Sequence, residues 1–214
     1  MPKETFFNLN DEKKERILRA AINEFLEKGF EKGNIGNIAK KAEVAKGSMY
    51  QYFENKKELF LFSIQWSLEF IYEKYNKYEA VKDKDINIFD FSYETSKNMW
   101  VQLQDEKEMC IFIQNVFFGK YGGITDESIS NMMKISDKYT LELIRKGKEN
   151  GSIRKDIDDN MILIFMTGVS IRFKEDLMKR VRSEGSDIMN NDFESFDNDI
   201  KRLLELLKNG MGAN

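Results

Sequence analysis

A ten-residue segment, VAKGSMYQYF at residues 44–53, combines several kinds of polar side chain that bind anions and base edges. The ammonium of Lys46 can neutralise a phosphate, and the hydroxyls of Ser48 and Tyr50 can donate hydrogen bonds to one. The amide of Gln51 can pair with an adenine edge in a major groove. These residue types suit contact with nucleic acid.

A helix over residues 46–52 would separate this polar set from the apolar residues of the segment. Met49 and Phe53 are four positions apart and face the same way, with Val44 near them. The opposite side then presents Lys46, Gly47, Ser48, Tyr50, Gln51 and Tyr52 to solvent. A glycine costs a helix about 1 kcal/mol relative to alanine, a loss that makes sense where the backbone must approach a ligand closely.

Two helices are predicted before this segment. The first begins at Asn10, a good N-cap, and stops at Gly29. The second, a short one, begins after Asn34 as its cap and has its apolar residues at three- and four-residue spacing. About four residues then separate it from the helix over 46–52. Two short helices joined by so tight a turn resemble a helix-turn-helix.

The rest of the chain also reads as helix. An Asn55-x-x-Glu58 pattern, close to a capping box, starts a fourth helix that we expect to run to about residue 78. Amphipathic segments follow at 86–103, 106–119, 126–149, 158–182 and 193–208. Strand-like alternation is absent, so the predicted fold class is all-α.

Charge is distributed unevenly. Residues 28–57 hold seven basic and three acidic side chains, whereas the whole chain carries a formal net charge of −3. A basic face on an acidic protein suits a head that binds a polyanion and a body that does not.

The composition argues against several other classes of function. The chain has no histidine, which removes the commonest general base near neutral pH and the commonest zinc ligand. The adjacent carboxylates of Asp158 and Asp159 are typical partners of a helix dipole, not an acid–base pair. We therefore expect no enzyme, no metal and no cofactor.

The sequence predicts a cytoplasmic protein that does not engage a membrane. Its longest apolar run, at residues 161–171, is too short to span a bilayer. The N-terminal residues show no apolar stretch followed by a cleavage site. The single cysteine, Cys110, fits a reducing compartment and is best explained as a small buried hydrophobe.

Residues 16–60 resemble the DNA-binding head of TetR-type transcriptional regulators. The most specific part is IAKKAEVAKGSMYQYFENKKELF, which follows the spacing I-A-x-x-A-x-V-x-K-G-x-x-Y-x-Y-F-x-x-K-x-x-L-F. The resemblance covers about a fifth of the chain. It implies a three-helix helix-turn-helix DNA-binding domain at residues 1–55, continuous with a larger helical ligand-binding and dimerisation domain at 56–214.

The resemblance also implies roles for single residues. The DNA-binding set would be Asn34, Lys46, Gly47, Ser48, Tyr50, Gln51, Tyr52 and Lys56. In it, Asn34 replaces the usual Thr or Ser cap and Lys56 stands where a phosphate is commonly held. Two positions differ from the family pattern. Glu43 stands where the family often has glycine, and Ala45 stands where it usually has a Ser or Thr that caps the recognition helix, here residues 46–52.

A homodimer on a double-stranded, palindromic DNA operator is implied, formed through the last two helices and released by a small-molecule inducer. Leucines 203, 204, 206 and 207 give the last helix a broad apolar face, and Gly168 would allow close helix approach. Aromatic residues in the body could line a cavity for a hydrophobic or amphipathic effector. The ligand-binding candidates are Trp66, Phe70, Trp100 and Phe165.

Three functional hypotheses follow from the sequence. The first is a ligand-responsive repressor, as the resemblance implies. The second is a helical small-molecule carrier or enzyme with a vestigial DNA-binding head. The third is a protein-interaction module that uses its head for a partner protein. Salt-sensitive, sequence-dependent binding to DNA separates the first from the other two.

Overall fold

The computed structural model of the chain describes residues 1–75, 87–183 and 194–211, and its fold is all-α, as predicted. The helices are α1 (Glu4–Phe7), α2 (Asp11–Lys32), α3 (Ile35–Lys41), α4 (Lys46–Tyr52), α5 (Lys56–Tyr75), α6 (Ile88–Gln102), α7 (Lys107–Phe117), α8 (Thr125–Glu149), α9 (Asp159–Ser183) and α10 (Glu194–Met211). Among these described helices, none combines the length and the apolar character that a membrane span requires.

The helix starts follow the capping residues read from the sequence. The Asn10 side chain accepts a hydrogen bond from the Lys13 N–H at 2.9 Å, and Asn55 accepts one from the Glu58 N–H at 2.9 Å. Gly29 breaks α2 with a φ of 72°, but the chain resumes helical geometry and continues to Lys32. Helix α1 was not predicted, and the expected end of α5 near residue 78 lies outside the described residues.

Packing divides the chain into two compact units. The first comprises Met1–Ile71 and Glu106–Ile135, and the second comprises Tyr72–Asp105 and Ser136–Asn214. These units are defined by packing alone. The boundary between DNA-binding and ligand-binding domains that the sequence predicts at residue 55 stays a prediction.

An aromatic cluster forms much of the core of the first unit. The ring of Phe60 lies 4.9 Å from Phe25 and 5.4 Å from Phe112, both edge to face. It also lies 5.0 Å from Tyr121 and 5.1 Å from Phe30. Edge-to-face pairs stabilise beyond the area they bury. The cluster ties α2 and α5 to α7 and the turn after it.

The second unit has its own apolar core. It is built from residues of α6, α8, the turn after α8, α9 and α10, namely Ile88, Phe89, Ile144, Ile153, Ile162, Leu163 and Leu207. Gly147 allows this packing, since a Cβ there would come within 2.7 Å of the Ile153 side chain.

The turn between α3 and α4 contains a strained residue. Glu43 has a φ of 55°, in the left-handed region that favours glycine. The turn is held by hydrogen bonds from the Val44 N–H to the Ala39 carbonyl and from Nε of Arg16 to the Ala42 carbonyl, both 2.9 Å. Glu43 therefore carries the backbone strain that a glycine at this position would avoid.

Replacing Glu43 by glycine should leave the free energy of unfolding unchanged or raise it by up to about 1 kcal/mol. The substitution relieves the left-handed strain, and the greater freedom of glycine in the unfolded chain offsets part of that gain. Lys40→Gly, at an exposed position inside α3, should instead cost about 1 kcal/mol. Urea unfolding measures both variants. A loss of more than about 1 kcal/mol for Glu43→Gly would show that the Glu43 side chain stabilises the turn.

Candidate nucleic-acid interface

Helix α4 has the two faces that the sequence predicts. Met49 and the following Phe53 are each only 1% exposed, so they hold the helix on the core. The opposite face is open to solvent and carries Lys46, Gly47, Tyr50 and Gln51, with Ser48 half-buried beside them. Tyr50 is 46% exposed, so its ring and hydroxyl are accessible to a ligand.

The predicted solvent exposure of Tyr52 is wrong. Its side chain is 7% exposed, and its ring lies 6.2 Å from that of Phe6, edge to face. The reason is the unpredicted helix α1, which covers this side of α4. The tyrosine therefore packs within the head, and whether its hydroxyl reaches DNA stays a prediction.

A buried carboxylate positions the first helix of the helix-turn-helix. Glu24 on α2 is 1% exposed. It accepts hydrogen bonds from the Asn34 N–H at 3.2 Å and from the Asn37 side-chain amide at 3.0 Å. The Lys41 ammonium lies 3.5 Å from its second oxygen. Both ends of α3 are thus tied to one group of α2, a role that the sequence analysis missed.

These partners decide the protonation state of Glu24. Burial by itself raises the pKa of a carboxyl, but the hydrogen bonds from Asn37 and Asn34, with the charge of Lys41, outweigh that effect. The pKa of Glu24 therefore lies below its ordinary value of 4.5. The group is a carboxylate in the folded head at neutral pH.

Two residues predicted to bind DNA have intramolecular partners. The Asn34 side chain caps α3, accepting from the Gly36 N–H at 2.7 Å, as expected for a Ser or Thr substitute. The Lys56 ammonium donates to the Glu31 carbonyl at 2.8 Å and lies 4.9 Å from the centre of the Phe30 ring. Lys56 therefore stabilises the last turn of α2. Its contact with a phosphate stays a prediction.

The basic side chains around the helix-turn-helix differ in how far they are engaged. Lys41 pairs with Glu27 at 3.2 Å, and Lys57 with Glu127 at 2.6 Å. Lys40 and Lys46 are exposed, and within the described residues neither ammonium has an ion-pair partner. Lys46, on α4 itself, is thus available to an anionic ligand.

The ligand-binding candidates are divided between the two units, with Trp66 and Phe70 in the first and Trp100 and Phe165 in the second. Trp66 and Phe70 are half-buried neighbours on α5, with ring centres 5.2 Å apart. Trp100 belongs to α6, but its side chain lies outside the described part of the structure. Phe165 is 43% exposed on α9, which suits a surface contact better than the lining of a closed cavity.

The second unit has an open groove between α6 and α10 that was not predicted. It has a volume of about 390 Å³ and is lined by Phe89, Tyr93, Leu204, Lys201 and Lys208 with three carboxylates, Asp90, Glu94 and Glu205. The carboxylates outnumber the lysines, and Lys201 is already paired with Asp197 at 2.6 Å. The groove is therefore a poor anion site.

The geometry of α2 to α4 defines a class of protein. Two short helices meet at a tight turn. The second helix presents lysine, tyrosine and glutamine to solvent, while its opposite side is buried in the core. This is a helix-turn-helix head of the kind that inserts its second helix into a major groove.

Comparison with known proteins gives a family match for the head. Residues 17–61 match the family described as bacterial regulatory proteins, tetR family. The head of the chain is therefore similar in sequence to the DNA-binding head of that family. The chain is similar to the biofilm operon icaADBC HTH-type negative transcriptional regulator IcaR of Staphylococcus aureus, with 26% identity over 161 residues, 72% of this chain and 80% of IcaR.

Two further similarities concern a shorter stretch of sequence and the fold. The HTH-type transcriptional regulator YvdT of Bacillus subtilis is 46% identical over 59 residues, 28% of each chain. The fold matches that of the regulator FadR from Bacillus subtilis, solved in complex with stearoyl-CoA, with a TM-score of 0.62 and 18% identity. That match covers 92% of this chain and 98% of FadR.

Acid should erase the contribution of Glu24 to stability. Its pKa is lower in the folded than in the unfolded state, so its contribution is complete above about pH 5.5 and is lost as the pH falls through the folded pKa. At pH 7, Glu24→Gln should lower the free energy of unfolding by about 1–3 kcal/mol, because the charged partner of Lys41 is removed.

Urea unfolding between pH 7 and pH 3.5 checks this. The difference between the native chain and Glu24→Gln should shrink toward the acid end. Glu12→Gln, on an exposed carboxylate of the same helix, should change stability by less than about 0.5 kcal/mol throughout. A Glu24→Gln difference that is independent of pH would contradict the role given to its charge.

Proposed function

We propose that this regulator is a repressor that binds an inverted DNA repeat as a homodimer and leaves it when a small amphipathic molecule binds the body. The observation that carries the proposal is the exposed face of α4. Lys46, Tyr50 and Gln51 lie on this face, and the opposite side of the helix is buried in the core. The head at residues 1–55 would bind DNA, and residues 56–214 would bind the effector and the second protomer. Repression is supported by the similarity to IcaR, a negative regulator.

Each exposed residue of α4 is given a role by its chemistry. Gln51 reads a base edge, and Tyr50 and Ser48 donate to phosphates or bases. Lys46 neutralises a phosphate at the start of the helix, and Gly47 lets the backbone approach the strand. Asn34 and Lys56 flank this surface, and we assign Tyr52 to its support from within the head.

The proposed dimer surface is an exposed apolar face on the last two helices. On α9 the side chains of Met161, Ile164 and Phe165 are 58%, 57% and 43% exposed, and on α10 Leu206 is 70% exposed. Gly168, one turn further along α9, has open space where a Cβ would stand. Large exposed apolar side chains in this number are a liability on a monomer and would be covered if two copies paired.

The proposed effector is a molecule with a long acyl chain. FadR of Bacillus subtilis is a fold neighbour that holds stearoyl-CoA, and a long acyl chain suits the aromatic and methionine-rich body. An acyl-CoA is therefore the first probe to use. Trp66 and Phe70 stay the candidate contacts, and we assign Phe165 to the dimer face.

Binding of a labelled duplex from upstream of the chain's own gene tests DNA recognition. Fluorescence anisotropy should show tight binding that exceeds binding to a scrambled duplex and falls steeply with salt. Lys46→Ala should flatten the slope of log K against log salt by about one unit per protomer, because one phosphate contact is lost.

Lys134→Ala is the control for this measurement. Lys134 is an exposed lysine on α8, within the same compact unit, and its removal should leave the slope unchanged. Equal slopes for the native chain and Lys46→Ala would remove Lys46 from the interface. Equal affinity for native and scrambled duplexes would contradict recognition of this site.

Ile164→Glu should convert the dimer to a monomer, because two carboxylates would be buried at the centre of the proposed face. Sedimentation velocity measures the change in mass, and operator affinity should fall at least about tenfold with it. Ser130→Glu places the same charge at an exposed position of α8 and should leave a dimer. An Ile164→Glu variant that stays dimeric would place the interface elsewhere.

The two tryptophans of the chain, Trp66 and Trp100, allow an effector to be located. Stearoyl-CoA should release the bound duplex and change tryptophan fluorescence. If α5 lines the site, the change persists in Trp100→Phe and disappears in Trp66→Phe. The reverse pattern would place the effector at Trp100, and failure of stearoyl-CoA to release DNA would contradict the acyl-CoA class.

A further inference from the structure

The segment before α2, which we call the N-terminal strap (residues 3–7), meets the last turn of α4. The Lys3 ammonium donates to the Tyr50 carbonyl at 2.9 Å, and the Lys3 N–H donates to the Tyr52 carbonyl at 2.9 Å. The hydroxyl of Thr5 donates to the Gln51 carbonyl. Three successive carbonyls at the end of α4 thus receive hydrogen bonds from one short segment.

These carbonyls are the ones that need partners. A helix leaves its last carbonyls without intrahelical N–H donors. In α4 the Met49 carbonyl accepts from the Phe53 N–H at 2.8 Å, and the next three are those that the strap satisfies. The strap is therefore a C-terminal cap supplied by a different part of the chain.

The strap is fixed in place by an aromatic anchor. Phe6 is 1% exposed, and its ring centre lies 4.9 Å from Phe53 and 5.5 Å from Phe62. Because Phe6 sits between the end of α4 and α5, its burial brings Lys3 and Thr5 to the carbonyls they cap. Lys3 and Thr5 themselves are exposed, so their substitution leaves the core intact.

Helix α4 depends on such support. It has seven residues, and its N-cap, Ala45, makes no side-chain hydrogen bond. Gly47 further lowers its helix propensity, and so short a helix is unstable in isolation. Its geometry is therefore decided by its surroundings, and the strap acts on the turn that carries Tyr50 and Gln51.

We propose that the strap is a positioning element for DNA recognition, with Lys3 and Thr5 as positioning residues that act through the backbone of α4. This proposal rests on the proposed function, because it concerns how well Tyr50 and Gln51 are presented to an operator. It predicts that removing one cap lowers specific affinity without removing a contact to DNA.

Thr5→Val tests the proposal, with Thr5→Ser as its matched control. Valine has the shape of threonine without the hydroxyl, so specific DNA affinity should fall about three- to tenfold, as for one lost hydrogen bond. Binding to the scrambled duplex and the salt slope should not change, because no phosphate contact is lost. Thr5→Ser retains the hydroxyl and should restore affinity.

Hydrogen exchange of residues 44–54 without DNA supplies the second measurement. In Thr5→Val the amides of α4 should exchange faster than in the native chain, and by a larger factor than the amides of α2. Lys3→Met should behave like Thr5→Val, and Lys3→Arg should retain part of the cap.

Two results would overturn the proposal. The first is a Thr5→Val variant whose DNA affinity and α4 exchange equal those of the native chain. The second is a Lys3→Met variant that flattens the salt slope by about one unit while Thr5→Val has no effect, since Lys3 would then contact a phosphate directly. Failure of the native chain to prefer any operator would instead contradict the proposed function, and the exchange data would still show whether the strap orders α4.

Discussion

A helix of seven residues is not stable by itself in water, and this constraint governs the DNA-binding head. Helix α4 is that short, lacks a side-chain N-cap and contains a glycine. Its position must be imposed by its neighbours. Met49 and Phe53 anchor it to the core, Arg16 holds the turn before it, and the N-terminal strap caps its end. The exposed side chains of α4 therefore need not contribute to the stability of the helix.

Buried polar groups fix the orientation of the helices within the head as well as stabilising it. Apolar packing tolerates small rotations, whereas a carboxylate that must satisfy several donors does not. Glu24 binds the N–H of Asn34 and the amide of Asn37 from within α2. A rotation of α3 would break these bonds and leave a buried charge without partners, which is costly. Helix α3 is thereby held in one register against α2, and α4 follows through the turn.

The aromatic cluster has a consequence for how a signal could reach the head. Phe112 and Tyr121 lie far along the chain, yet their rings pack on Phe60 in the same compact unit as α4. Phe25, from the head, completes the cluster. The head is thus not separable by packing at residue 55, and displacement of α7 would disturb the aromatic contacts beneath the helix-turn-helix.

Local signals in the sequence were sufficient for the helices and for much of the exposed face of α4. Capping residues such as Asn10 and Asn34, the apolar spacing of Met49 and Phe53, and the family motif depend on neighbours within one or two turns. The resemblance of the head to TetR-type regulators rests on the same local pattern. These features are readable because helix periodicity and capping act over three or four residues.

Contacts between distant segments were decided only by the tertiary structure. The sequence alone determined an all-α chain with a helix-turn-helix whose second helix carries Lys46, Tyr50 and Gln51. It did not reveal that Phe6 would cover Tyr52, since that contact joins residues 46 positions apart. Nor did it reveal that Lys56 would close α2 or that Glu24 would hold α3. Which polar group is buried, and with which partner, depends on how separate helices pack, and no short-range pattern encodes that.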